Sequence, residues 1–316
     1  MILITEDEVA ALADYPSLIR AMEEVFVACA EGQVDNYPFV RAPLRGGEAL
    51  FGVKSGCNYL SGDLGLKCGG YWNGNAGRGI DRHQSTVLMI DIETGRPRAL
   101  VAGNNLTALR TAAAAAAAAG KLARPDARRV AMLGAGRQAL FQLEALRCVR
   151  PIEAVTGWSR DPDRAAAFGR AVERLGLAFT AAASPGAAAR GADIVVTVTP
   201  STQPLLALAD VAPGTHVNAM GSDTQGKREL AADLMAAARV WADDPRQASA
   251  IGECQHLPDP GGVRALGEAL AGGEGRLGDD EITVFDGTGL ALQDLAAASQ
   301  IIAAAGRRGG VTTVSF

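Results

Sequence analysis

The sequence predicts an α/β chain in two parts, a doubly wound parallel sheet in the middle and a mixed α+β domain built from both chain ends. Three observations carry this. From Arg129 onward short apolar runs alternate with helical periods, the pattern of a parallel sheet covered on both faces. Before residue 105 the apolar runs are joined by turns instead. A length of 316 residues also exceeds what one hydrophobic core usually organises.

The opening MILITEDEVAAL lacks a basic leader region and turns acidic at Glu6, so no secretory signal is expected. PSLIRAMEEVFVACAEG then has helical spacing. LGLKCGGYW and HQSTVLMIDIETGRPRALVAG read as strands joined by turns, with a hairpin at IETGRPRA. LTALRTAAAAAAAAGKLAR, residues 106–124, is the connecting helix; Lys121 and Arg124 interrupt it short of the roughly 20 apolar residues that a membrane span needs. RRVAMLGAGRQALFQLEAL is a strand, a tight turn and a helix. Further strands are expected within 153–158, 192–200, 214–221 and 239–243, and LQDLAAASQIIAAAGRRG returns as a helix to the first domain. The expected domains are 1–110 with 291–316, and 111–290.

Composition excludes several classes. A net charge of −5 without any long Lys/Arg run argues against nucleic acid as a partner. Five scattered cysteines without a CxxC pair suit reduced thiols, and with only three histidines no metal site is expected. A cytoplasmic protein with no membrane partner is the reading.

Gly134-Ala135-Gly136-Arg137-Gln138-Ala139 is a G-x-G-x-x-A turn between a strand and a helix. Gly134 permits the turn, Gly136 lets the backbone approach a pyrophosphate, and Ala139 allows the helix to pack closely on the strand. Dinucleotide binding follows. The second strand ends in Trp158-Ser159-Arg160 rather than an acid, and Asp161 before Pro162 reads as a helix cap, so by these residues NADP is tolerated at least as well as NAD.

Segment 41–110 holds nine Lys/Arg against five Asp/Glu in an otherwise acidic chain. Such a basic island suits an anionic small molecule, although Arg96 and Arg98 in the hairpin read as solvated. Arg110 is placed in the first turn of the alanine helix, where a bound anion would offset the dipole's dislike of a cation, with Thr107 beside it. Lys67 is either an edge lysine pointing to water or an inward one whose pKa burial lowers into a range useful for proton transfer. Asp223 and Lys227 follow a strand end in the crevice where open α/β sheets bind ligands, unless Asp223 only caps a helix. His83 and His256 rank below these.

GLKCGGYW, IDIETGRPRALVAGNNLTALRTAAAAAAAA, VAMLGAGRQALFQLEAL, NAMGSDTQGKREL, IGECQHL and ITVFDGTGLALQDLAAA together resemble the ornithine cyclodeaminase and mu-crystallin family over nearly the whole chain. The resemblance implies a Rossmann domain, a dimerisation and substrate domain, and a homodimer. It implies substrate-binding roles for Arg41, Lys67 and Arg110 and catalytic roles for Lys67 and Asp223; Lys54 and His83 are further substrate-binding candidates. Cofactor contacts carry over to Gly134, Gly136, Arg137, Gln138, Thr199, Met220, Gly221, Ser222, Asp223, Thr288 and Gly289; Thr86, Arg110, Ser159, Arg160 and Lys227 are further cofactor-binding candidates, Ser159 and Arg160 as residues able to accept a 2′-phosphate.

Ser85-Thr86 stands where members commonly have Pro-Thr, and it is preceded by Arg82 and His83, cations that suit a second substrate carboxylate. GYWNGNAGRGIDRHQST and AIGECQH are most similar to members that reduce iminosuccinate to L-aspartate in the β-hydroxyaspartate route of glyoxylate assimilation, which implies NADH. The expected activity is therefore reduction of a small anionic imino acid. The rivals are an ornithine cyclodeaminase-type lyase, another amino-acid dehydrogenase or ketimine reductase, and a non-catalytic binder of the mu-crystallin kind.

Overall fold

The computed structural model describes residues 1–315; residue 316, the last of the expected 291–316 segment, lies outside the described residues. The chain separates into two compact units, Met1–Arg110 with the segment from Leu290 onward, and Thr111–Gly289.

The first unit is a largely antiparallel sheet. Its strands lie in the order Thr312–Thr313, Ile2–Ile4, Pro97–Ala102, His83–Ile90, Asp63–Trp72, Ala49–Asn58 and Val34–Asn36, and Val40–Leu44 also pairs with Ala49–Asn58. Ile2–Ile4 runs parallel to Pro97–Ala102, which leaves its end next to the first helix. That helix, Glu6–Leu12, opens on a capping box between Thr5 and Glu8, and Asp14 caps Tyr15–Ala30 ahead of Pro16. The third helix, Ala291–Arg308, packs on one sheet face. Gly65 is what admits it: a Cβ there would stand 3.0 Å from the Leu295 side chain and 2.2 Å from the Leu88 carbonyl. The hairpin at 91–96 forms as expected, with Arg96 and Arg98 exposed.

The second unit carries a wholly parallel sheet in the order Ala178–Ala181, Ala154–Trp158, Arg129–Leu133, Ile194–Thr197, His216–Ala219, Thr283–Asp286, Arg239–Ala242 and Arg264–Ala265. The chain order reverses between Arg129–Leu133 and Ile194–Thr197, which is the switch point of the Rossmann arrangement. Alternate residues of each strand serve two cores, with Val130, Met132, Ile194 and Val196 on one side and Ala131, Leu133 and Val195 on the other. Each of the four strands read in this region forms.

The alanine run lies in helix Gly103–Leu122, and Ala112–Ala119 are all at most 1% exposed. Nothing longer than a methyl fits where helix and strand approach so closely that Asn218 Nδ2 donates to the Ala115 carbonyl at 3.1 Å. Ala119 sits in the core with Val130, Met132 and Leu143. Ala119→Leu is expected to destabilise this unit by about 1–3 kcal/mol through overpacking, read by urea unfolding.

The helix begins at Gly103, seven residues ahead of Arg110. Arg110 therefore lies beyond the reach of the N-terminal dipole, and the first-turn placement expected from the sequence does not hold. A different force holds it.

Candidate active site

In the first unit a cluster of cations forms on the sheet face that carries helix Ala291–Arg308. Lys67 lies on an interior strand, directly across from Lys54 on one side and Val87 on the other. Arg41 is opposite Gly52, two residues from Lys54 and on the same face. The Phe39 ring lies between them, with Lys54 Nζ 4.9 Å and the Arg41 guanidinium carbon 5.6 Å from its centroid. Two lysines facing each other across strands repel, so this face is built to receive negative charge.

One carboxylate partly answers it. Asp294, fully buried on the C-terminal helix, accepts a hydrogen bond from Lys67 Nζ at 2.8 Å and another from Arg110 Nε at 2.9 Å. Arg110 Nη1 also donates to Gln293 Oε1 at 3.1 Å, and Lys67 Nζ donates to Thr107 Oγ1 at 3.3 Å. Burial lowers the Lys67 ammonium to about 7 against the pull of Asp294, with Arg110 and Lys54 adding to the fall. Burial pushes the Asp294 carboxyl up, but Arg110 and Lys67 outweigh it and hold it below the usual range. Lys67 is thus inward, the second of the two alternatives read from the sequence.

His83 shares this face, across from Tyr71, and Ser85 lies across from Gly69 with its hydroxyl 3.5 Å from that of Thr107. Thr86 does not join them. It pairs with Cys68, one residue out of phase with Lys67, so its side chain is on the opposite face of the sheet.

In the second unit the glycine turn has the expected geometry. Gly134 is at φ +111°, and a Cβ there would stand 2.9 Å from the Val198 carbonyl. Gly136 forms the N-cap of helix Arg137–Arg147 with no side-chain cap, and the space its Cβ would fill is open. Gln138 Oε1 is buried without a hydrogen-bond partner. An uncapped helix start beside open space fits a pyrophosphate, so the residues present suit a dinucleotide.

At the end of the second strand, Ser159 Oγ accepts from the Asp161 amide at 3.2 Å and Arg160 is exposed. Asp161 caps the next helix through the amides of Asp163 and Arg164, as expected, so it is not available to a ribose hydroxyl.

The other expected cofactor residues gather at the carboxyl ends of the strands. Lys227 Nζ donates to Asp223 Oδ1 at 2.6 Å and to the Gly221 carbonyl at 3.1 Å. No helix starts at Asp223; a turn leads into strand Arg228–Leu230, which removes the helix-cap alternative. The hydroxyls of Thr199 and Ser222 face inward to Glu229 and Glu253, and Thr288 donates to Asp243 at 2.7 Å. Met220 and Gly289 flank these turns. His256 Nε2 donates to the Lys227 carbonyl at 2.8 Å, a satisfied imidazole.

Sequence reasoning passed over the acids: Asp294, Glu229, Glu253 and Asp286, all wholly buried. The one signal for Asp294 was a carboxylate inside an otherwise alanine- and leucine-rich helix. Asp286 is pushed up to about 8 by burial, with the charge of Glu253 adding to the rise.

The strand order and the glycine turn define a nucleotide-binding α/β protein of the Rossmann class with a second unit that holds a buried lysine among other cations. Residues 1–307 match the ornithine cyclodeaminase/mu-crystallin family model, and the chain belongs to that family. It is 41% identical over 314 residues to the iminosuccinate reductase of Paracoccus denitrificans, covering 98% of each chain. The crystal structure of that enzyme in complex with NAD+ superposes with a TM-score of 0.95 at 40% identity, over 100% of this chain and 99% of that one. The alanine dehydrogenase of Archaeoglobus fulgidus is 35% identical over 307 residues, covering 95% of this chain and 94% of its own. The Δ1-pyrroline-2-carboxylate reductase of Thermococcus litoralis, solved with NADH and L-proline, has a TM-score of 0.94 at 26% identity, over 99% of this chain and 100% of that one.

Proposed function

We propose that this protein is an NADH-dependent reductase of a small anionic imino acid, with iminosuccinate as the substrate and L-aspartate as the product. The observation that carries the reading is the face on which Arg41, Lys54 and Lys67 stand together while a single buried carboxylate, Asp294, answers Lys67 and Arg110. A dicarboxylate imine matches that excess of positive charge, and an ornithine ammonium group does not. The high identity to an iminosuccinate reductase supports the same choice.

In this reading Arg41 and Lys54 bind carboxylates and Phe39 spaces them. Lys67 holds a proton at Nζ, kept in place by Asp294 and Thr107, and gives it to the substrate nitrogen. Asp223 is proposed as the second proton-handling residue. Gly134, Gly136 and the start of helix Arg137–Arg147 would hold NADH, which would supply the hydride. Because Asp161 is committed to its helix, no acid at the end of this strand is set against a 2′-phosphate, and NADPH is expected to serve as an alternative donor.

The sheet face opposite Lys67 supports a homodimer. Val53, Cys68, Thr86 and Ala102 form one cross-strand row there, and Ser55, Leu66, Leu88 and Leu100 the next. Helix Ala291–Arg308 packs on the other face, against Gly56 and Gly65, while on this one Leu100 is 37% exposed, Phe51 37% and Val40 62%. A contiguous apolar face of this kind marks a protein interface. Leu88→Arg is expected to yield a monomer by sedimentation; a dimer of unchanged strength would rule this face out. A cytoplasmic role in glyoxylate assimilation is part of the same proposal, and no helix among the described residues is long and apolar enough to cross a membrane.

The deciding experiment follows NADH and NADPH oxidation with iminosuccinate generated from oxaloacetate and ammonia, and with pyruvate plus ammonia and cyclic ketimines as comparators. Turnover confined to the dicarboxylate supports the proposal. Release of ammonia from ornithine without net NADH consumption would replace it with the cyclodeaminase reading.

A further inference from the structure

We propose that Glu229 is a positioning residue for the nucleotide crevice, one carboxylate that holds in register the two loops leaving adjacent strands of the parallel sheet. This rests on the nucleotide-binding reading above. Glu229 lies on the short strand Arg228–Leu230, which pairs with Thr202–Leu206 outside the main sheet, and it is fully buried. Its Oε1 accepts from the Thr199 amide and the Thr199 hydroxyl, both at 2.7 Å. Its Oε2 accepts from the Thr197 hydroxyl at 2.6 Å and the Gly221 amide at 3.0 Å. The donors come from the ends of Ile194–Thr197 and His216–Ala219, strands that pair residue for residue.

A second acid holds the first. Glu253 accepts from the Glu229 amide at 2.7 Å, from the Leu230 amide at 3.1 Å and from the Ser222 hydroxyl. Side chains that reach a nucleotide from Thr199 or Gly221 onward therefore owe their place to these carboxylates, neither of which needs to touch the ligand. The donor set explains why the residue must be an acid. The hydroxyls can turn to accept, but the amides of Thr199 and Gly221 can only donate. A glutamine has one oxygen for the two and would set its NH2 against the other. One loop would then lose its anchor while the packing volume stayed the same.

The readout is NADH affinity by fluorescence titration of the purified full-length protein, alongside thermal melting and KM for the imine. Glu229→Gln is expected to raise the NADH Kd about 10- to 100-fold, the range for one buried amide left without an acceptor, with the KM for the imine changed less than threefold. Thr197→Val removes one donor on the strand itself and serves should Glu229→Gln not fold; it is expected to weaken NADH binding about three- to tenfold. Variants that melt lower yet bind NADH within twofold of the wild type would reduce Glu229 to a structural acid and overturn the inference. Wild-type protein that takes up neither NADH nor NADPH would instead overturn the nucleotide-binding reading beneath it.

Discussion

Asp294→Ala is expected to cost the protein about 3–5 kcal/mol of stability, the largest single effect of any substitution considered, because it strands two buried cations at once. Lys67 and Arg110 both donate to this carboxylate, and at 9% and 6% exposure both are buried. The linkage has a definite sign. The native Asp294 pKa is depressed, so its contribution is full above the ordinary carboxylate range and is lost as pH falls through the lowered native value. Urea unfolding at neutral and acid pH, with hydrogen exchange along Asp63–Trp72, tests both points. A loss below 1 kcal/mol would mean that the cations find other partners. Asp294→Asn keeps the volume but removes the charge that raises Lys67, so any pH limb owed to Lys67 should move to lower pH.

Lys67→Met is expected to lower kcat about 10²- to 10⁴-fold while leaving the fold and NADH binding intact. Methionine fills the same space without the charge, and Asp294 keeps Arg110 as its partner. Because Lys67 titrates near 7, the wild-type rate of imine reduction should fall as pH rises through that value, since the donor must be protonated. Oxidation of the amino acid should rise through the same value, since the acceptor must be neutral. Mirrored limbs that vanish in Lys67→Met would identify the group. A kcat within tenfold of wild type would give the proton to another residue, with Asp223 the first to examine.

How much of this was legible in the sequence can be judged from particular residues. The glycine turn at 134–139, the Asp161 cap and the four strands after Arg129 were readable because each rests on local rules: a backbone that needs glycine, a side chain that caps its own helix, and apolar runs of strand length. The basic island was visible by counting. Lys67 was named but left between water and interior, since a strand's alternation does not say which strand is the edge. Arg110 was named for the wrong reason, because a helix start three residues ahead of the expected one removes the dipole argument.

Composition and local patterning determined the class of fold and the nucleotide turn, and the resemblance of the quoted motifs implied the family. Those features depend on neighbours within a few residues. Tertiary structure alone decided that Lys67 and Arg110, 43 positions apart in the chain, share Asp294 from the far C-terminal helix, and that Thr86 faces away from them. It also decided that Glu229 gathers two loops from adjacent strands. The physical reason is the same in each case. A buried charge is defined by partners that register and packing bring together, and neither register nor packing is written in the spacing of residues along one strand.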